Sequence, residues 1–542
     1  MTIEPTAGVH GLFEAVLSGA DDTVVHLLRA GVPADATDDD GQSALYLAAV
    51  SDEPGLVRLL LAAGADPERG SGPDGADLPL CGAASGGHTE VVRALLAAGA
   101  RPDRREAFGF TALAWAVVQG FPDTAEALLE HGADPDLPGP GDEPPLVLAA
   151  RRGSPSTTRV LLRYGAGTRG APTTGTDADT DPDAHSTAPD ARSPDPTPDT
   201  GTLAAALAEA RRWMGVDVER EVRAGLLRAY GDGYETVVRR IEEDGSETVV
   251  VELLRDGLPV AGQEQQTGHA AVATLLEAES GVRTPYEELA GRALRCGDRG
   301  RDDWSEAAAA LWRRGDEETF LAAAAWCAGE DALRQAFAAD VLAGLGGATD
   351  GAAQDTAEGA GRFTARAVAL LRELSRGATE TTLIGAVVTG LGRQGDPGAL
   401  PEILRHSGHR DAGVRRRVAA ALAGLVPDGQ GDGVWALILL SGDADASVRK
   451  AAVRGLAGVV DDTPTLREAL AARLDDPEAD TAAAAARGLA VRQDPRAVGA
   501  LARILADGDA GGGARRTAVE AVRYVPEGPE RRRLERTLPR RH

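Results

Sequence analysis

The chain has 542 residues, 43% of them hydrophobic and only 4% aromatic, and carries a formal net charge of −27 at pH 7. This composition excludes a wholly disordered chain and leaves room for roughly three or four domains, in which abundant Ala and Gly favour closely packed helices over one large core. The charge is uneven: about −24 of it falls in residues 1–295 and about −3 in 296–542, so the first part should repel nucleic acid and anionic membrane while the second is open to such contacts. No apolar run approaches the roughly 20 residues that span a bilayer, and no basic-then-apolar leader opens the chain, which makes a cytoplasmic location the expectation. Cys81, Cys296 and Cys327 are odd in number and far apart, a usage that suits a reducing compartment. All three are read as packed thiols.

Over residues 1–170 two markers recur in phase. Gly31, Gly64, Gly99, Gly132 and Gly165 are spaced by 33, 35, 33 and 33 residues, and Leu12, Leu45, Leu80, Leu113 and Leu146 keep the same steps. Each unit holds an alanine-rich helix, a second helix such as Thr89-Glu90-Val91-Val92-Arg93-Ala94-Leu95-Leu96, and a closing Gly that can take φ > 0. Thr111-Ala112-Leu113-Ala114-Trp115-Ala116 and Ser43-Ala44-Leu45-Tyr46-Leu47-Ala48 resemble the ankyrin repeat signature with Ala in place of its Pro, and Gly64-Ala65-Asp66-Pro67, Gly132-Ala133-Asp134-Pro135 and Gly87-His88-Thr89-Glu90-Val91-Val92 match its turns. About five units are expected, the first degenerate as a cap would be, and the third with two extra residues in a Gly-rich finger at 70–77. The resemblance implies a binding surface without catalysis. Its partner contacts would be the hairpin tips and the positions after the first helix: Asp39, Asp40, Gln42 and Ser51, then Ala107, Phe108, Phe110 and Gln119. Phe108 and Phe110 flank Gly109 in a tip expected to face solvent as interface anchors, the alternative being that one folds back onto a neighbouring finger. Tyr46, Trp115 and Cys81 are read as core, and His88 and His131 as helix-end residues instead of metal or acid/base groups.

Residues 171–202 lack any Val, Ile, Leu, Met or aromatic side chain, so they cannot offset ordering entropy and are expected to be a disordered tether between two folded bodies. Beyond it, 203–295 is read as a bridging module, with helices at 203–214 and 216–230. Asp232-Gly233, Asp244-Gly245 and Asp256-Gly257 then recur at twelve-residue spacing around Val- and Thr-rich segments, which predicts a small β-meander over 234–260, short helices being the alternative. Helices at 269–279 and 285–294 follow.

Residues 296–542 read as a helical solenoid. Asp411-Ala412-Gly413-Val414-Arg415 and Asp445-Ala446-Ser447-Val448-Arg449 open two copies offset by 34, with weaker copies from Asp480, Gly513 and Leu333. The pattern resembles HEAT repeats of the short kind named after phycobilin lyases, which implies that Asp411, Asp445, Arg415 and Arg449 form ladders between repeats, the arginines also pairing with the preceding turn. Gly390-Leu391-Gly392-Arg393-Gln394-Gly395 spells a nucleotide-binding string but ends a helix instead of following a strand. His406 and His409 lack further ligands at metal-site spacing. The clusters Arg415, Arg416, Arg417 and Arg531, Arg532, Arg533 are candidate contacts for a polyanion or an acidic partner, weighed against solvated surface.

The chain thus reads as mainly α: two α-solenoids joined by a disordered linker, with a small β-meander in the middle module. No nucleophile elbow, phosphate loop or paired-carboxylate motif is present, and no residue suits a chromophore lyase. The expected function is a non-catalytic intracellular protein-protein interaction scaffold with protein partners, no cofactor and no metal; the alternative is nucleic-acid binding by the arginine-rich C-terminal array.

Overall fold

The computed structural model describes residues 5–167, 200–243, 245–345, 362–426, 431–507 and 512–538. These form two compact units, one running to Thr284 with 300–306 added, the other comprising 285–299 and the chain from Ala307.

The first unit begins with five helix pairs: α1 (Pro5–Leu17) and α2 (Asp21–Arg29), α3 (Ala44–Val50) and α4 (Pro54–Ala62), α5 (Pro79–Ser85) and α6 (Thr89–Ala97), α7 (Ala112–Gln119) and α8 (Pro122–Glu130), α9 (Pro145–Arg152) and α10 (Pro155–Arg163). The Ser43 and Thr111 hydroxyls accept from the amides of Tyr46 and Ala114, starting α3 and α7, while Pro opens α4, α5, α8, α9 and α10 where its missing N–H costs nothing. Odd-numbered helices stack on one another in one row and even-numbered helices in a second. Between the rows lie Leu12, Leu45, Leu80, Leu113 and Leu146, none more than 4% exposed, so the leucine marker is the core of the stack. The phased glycines Gly31, Gly64, Gly99 and Gly132 take φ of 94°, 95°, 95° and 88°, which a side chain would strain.

Acidic side chains knit successive turns. Asp35, Glu68, Asp103 and Asp136 accept from the backbone amides of Asp66, Arg101, Asp134 and Gly167, one repeat further on. Part of the negative charge is therefore structural. The fingers pair through Thr37 with Ser43 and Ser71 with Asp77, bridges of equal span. The two extra residues of the third unit consequently flank its finger, one before Ser71 and one after Asp77, instead of both lengthening 70–77.

Next come α11 (Thr200–Met214), α12 (Val218–Tyr230), strands β1 (Glu235–Glu243), β2 (Ser246–Arg255) and β3 (Leu258–Gln266), and α13 (His269–Glu279). The sheet is an antiparallel meander in the order β1-β2-β3. Asp256 and Gly257 connect β2 to β3 with φ of 55° and 78°, the pair of left-handed residues a tight hairpin demands. Asp232-Gly233 instead leads from α12 into β1, and the meander extends to Gln266, past the expected 260. α12 covers one face of the sheet through Val222, Leu226, Val249, Val251 and Leu253.

The expected tether at 171–202 falls almost wholly outside the described residues, but the chain beyond it does not begin a separate body. α11 packs on α9, and α13 packs on α10 and α11. Leu203, Ala206, Leu207, Ala210, Val272, Ala273 and Leu276 belong to the same core as the five helix pairs. An end helix such as α9 keeps an apolar flank, and α11 covers it as a further repeat would. The turn after α9 is held equally closely: a Cβ at Gly153 would lie 2.6 Å from the Gln266 carbonyl, and Gln265 donates to the Arg151 and Arg152 carbonyls at 2.7 Å each.

The second unit comprises α14 (Tyr286–Leu294), the later part of α15 (Asp302–Arg314), α16 (Glu317–Cys327), α17 (Ala332–Gly344), α18 (Thr364–Gly377), α19 (Thr381–Gln394), α20 (Leu400–Leu404), α21 (Ala412–Leu425), α22 (Asp432–Leu440), α23 (Ala446–Gly458), α24 (Pro464–Ala471), α25 (Ala479–Val491), α26 (Arg496–Asp507), α27 (Gly513–Ala521) and α28 (Pro529–Glu535). Odd-numbered helices from α17 to α27 pack in one continuous row. Small residues set their spacing, since a Cβ on Gly392 would meet Ala421 and one on Gly488 would meet Ala457.

Candidate interaction surfaces

The tips of the first array separate the two predicted aromatics. Phe108 is 74% exposed, whereas Phe110 stacks on Trp115 with ring centroids 4.0 Å apart. The Trp115 indole donates to Glu106 at 2.7 Å, and burial raises the Glu106 carboxyl above its ordinary range despite that bond. Trp115 and Tyr46 are partly buried and Cys81 is fully buried, where desolvation pushes its thiol well up. Asp39, Asp40, Ser51, Ala107 and Gln119 are exposed and Gln42 is half-buried, its amide donating to Asp38. His88 sits 3.2 Å from the Val50 carbonyl and His131 2.8 Å from that of Ala127, so both rings serve local backbone.

Gln119 also borders a feature that no sequence motif announced. α7 and α9 on one side and the free face of the sheet on the other enclose a cavity of about 550 Å³, with Val118, Leu148 and Val250 as its apolar walls. Its charges are paired. Arg151 is held by Glu143 at 2.6 Å and Glu209 at 3.0 Å, Arg239 by Glu252 at 3.0 Å, and Arg152 lies 3.5 Å from Glu264. Arg152 is nearly buried, donates to the Gln119 and Glu264 carbonyls, and burial lowers its pKa. Such a lining offers hydrogen bonds and apolar wall with little net charge. Its partners are separated by up to 114 residues, as in Gln265 and Arg151, which is why local spacing could not reveal it.

The arginine clusters of the second unit are divided in the same way. Arg415 donates in bidentate fashion to Asp443 at 2.7 and 2.8 Å and to the His409 carbonyl, and Arg449 repeats this with Asp476 at 2.9 and 3.1 Å and the Asp443 carbonyl. Asp443 and Asp476 are accordingly held below the usual carboxylate range, by Arg415 and Arg449 respectively. Asp411 and Asp445 are not ladder members: they cap α21 and α23 by accepting from the Val414 and Val448 amides. Arg416 is exposed and Arg417 half-buried. Arg531 pairs with Glu535 at 2.9 Å, while Arg532 and Arg533 are exposed on α28.

Comparison with protein families matches part of each array. A model of ankyrin repeats, in three copies, matches residues 12–104 and 71–139, and a model of HEAT repeats matches residues 434–523. The chain carries ankyrin and HEAT repeats. No curated protein matches it. Both repeat types are generally protein-interaction modules, and families built of such repeats alone are typically non-catalytic. In the second unit, the glycine string at 390–395 closes α19, with Gly395 at φ 69° as its cap. His406 is buried and His409 accepts from the Asp411 amide at 3.1 Å. No group of three metal-ligating side chains occurs among the described residues, and no helix among them is long and apolar enough to cross a membrane. Cys327 is buried with its thiol pushed up to about 12, but Cys296 is exposed: it follows α14 in a loop, outside the helix rows that bury the other two.

Proposed function

We propose that this chain is a non-catalytic protein-interaction scaffold whose ankyrin array recognises a protein segment through the finger tips and the groove beside Gln119. The observation that carries the reading is the exposure of Phe108 at a tip. A large aromatic held in solvent costs the free protein hydration and is the side-chain type that anchors interfaces. Asp39, Asp40 and Ala107 extend the surface along neighbouring tips. The neutral, hydrogen-bonding cavity suits an uncharged extended segment. The HEAT array supplies a second surface, and two surfaces on one chain raise avidity when both are engaged. Crosslinking in the native cell, followed by purification of the full chain, tests this: Phe108→Ala should lose a defined protein partner that the parent chain retains. Recovery of the same set of proteins by both forms would refute the assignment of the tip.

Nucleic-acid binding by the HEAT array is the second reading, favoured by Arg416 and Arg417, which make no ion pair or hydrogen bond among the described residues. Against a continuous basic track, Arg415 is spent on Asp443, and Lys450 and Arg454 on the same row face Asp480 at 2.5 and 3.8 Å. An oligonucleotide whose affinity for the full chain falls steeply with salt and is lost in the Arg416→Glu, Arg417→Glu double variant would support it.

A further inference from the structure

Between α19 and α21 the HEAT row opens into a cavity of about 260 Å³ walled by Thr389, Gly392, Ala420 and Ala421 and lined by Arg393, Arg416 and Arg417. A fourth guanidinium approaches it one turn away. A Cβ at Gly385 would lie 3.3 Å from Nη1 of Arg299 and 3.4 Å from Nε of Arg417, so the two cations share the space that this glycine leaves open. Two carboxylates lie near Arg417, and each already accepts other bonds: a Cβ at Gly413 would fall 3.0 Å from Asp411 Oδ1 and 3.2 Å from Arg417 Nη1. Asp340 takes a bidentate pair of bonds from Arg299 at 2.7 and 2.5 Å, and Asp411 caps α21. Arg393 is exposed, with its guanidinium 4.6 Å over the Trp312 ring. Among the described residues the remaining surplus is cationic, partly buried and local.

Among the described residues the four guanidinium groups face two carboxylates, Asp340 and Asp411; like charges in surplus are a cost to the fold that an anion relieves, and guanidinium forks match the oxygens of a phosphate. We propose that this cavity is a binding site for a phosphate dianion, free or as the monoester of a small molecule. Arg417 and Arg416 are its principal donors, and Arg393 and Arg299 add to the field. A carboxylate would neutralise one guanidinium and leave the surplus standing; a dianion matches it. A polymer is disfavoured because the basic surface does not continue past Lys450, whose charge Asp480 already answers at 2.5 Å. The inference does not depend on the scaffold reading.

The test uses the full chain, calorimetry, and thermal unfolding in chloride of matched ionic strength. Inorganic phosphate and a nucleoside monophosphate are the small probes, and a single-stranded oligonucleotide is the polymer. One saturable site for a small probe is expected, with a phosphate-dependent rise in Tm. Arg417→Gln should bind roughly tenfold or more weakly. In the absence of phosphate it should match or exceed the parent Tm, because it removes an unanswered charge. Arg416→Gln, at an exposed position where misfolding is not at issue, should also weaken binding, and Arg531→Gln should not. Absence of saturable binding, or binding equal in parent, Arg416→Gln and Arg417→Gln, would overturn the proposal. So would an oligonucleotide that binds while both small probes fail, and that outcome would favour the nucleic-acid reading instead.

Discussion

Replacing Leu203 and Leu207 of α11 by Ala tests whether the chain beyond residue 200 completes the ankyrin stack. Both side chains are nearly buried in the core shared with α9. A buried Leu→Ala change costs about 2–5 kcal/mol, and at the end of a stack, where neighbours can relax, about 2–3 kcal/mol each is the fitting share. The two positions are one turn apart and so couple; with about 1 kcal/mol of coupling taken from the simple sum, about 3–5 kcal/mol remains, a local opening at least roughly a hundredfold more frequent. Amide hydrogen exchange of the full chain resolves the consequence by segment. Exchange should accelerate in Thr200–Met214 and also in Pro145–Arg152, because α9 loses its cover. Leu17→Ala, at a side chain 67% exposed, is the control and should leave both segments unchanged. If α11 exchanged faster while α9 kept its protection, the two would not share a cooperative core, and the chain would revert to two bodies on a tether.

Phe108→Ala should leave thermal stability within about 0.5 kcal/mol of the parent, whereas Phe110→Ala, which unstacks Trp115, should cost about 1–2 kcal/mol and shift tryptophan emission; equal effects would contradict the split between the two rings. Glu209 is held down to about 2, by Arg212 first and Arg151 next, from an ordinary value of 4.5. Its folded pKa is depressed, so the stability it contributes is present above about pH 4.5 and is lost as pH falls through about 2. The denaturant midpoint should therefore drop over that window, and Glu209→Gln should shrink the drop. A thiol reagent should label native protein at Cys296, with Cys81 and Cys327 reacting only on unfolding. Labelling of Cys81 under native conditions would place it wrongly in the core.

What could be read from the sequence was what repeats. The in-phase leucines and glycines located the core and the helix ends because a stack presents the same environment every 33 or so residues. Asp256-Gly257 marked a hairpin because few residues tolerate its backbone. The arginines of the second unit's row were legible as ladder residues, but the carboxylate that answers Arg415 lies two positions before the one expected, Asp443 instead of Asp445. Both lie in the same turn, and only the three-dimensional reach of Arg415 decides between them. The cavity beside Gln119 and the docking of α11 were not legible at all. Each depends on pairs such as Arg151 with Glu209, 58 residues apart across a segment whose composition says only that it has no core of its own.

That last pair shows where composition stops informing about organisation. A composition without core-forming residues says nothing about whether the flanking helices are independent, since doubling the length of any connection from about 15 to about 30 residues adds only roughly 0.6 kcal/mol of closure entropy. Against that stands the burial of Leu203, Ala206, Leu207 and Ala210 in the core shared with α9, together with Arg151 bonded to Glu209. Apolar burial at about 25 cal/mol per Å² outweighs the loop term once a few tens of Å² are covered. The described helices on either side of residues 168–199 thus share one core. Arg151 bonds to Glu209 and also lines the cavity beside Gln119, so a partner segment seated there would meet groups from before residue 168 and from after residue 199.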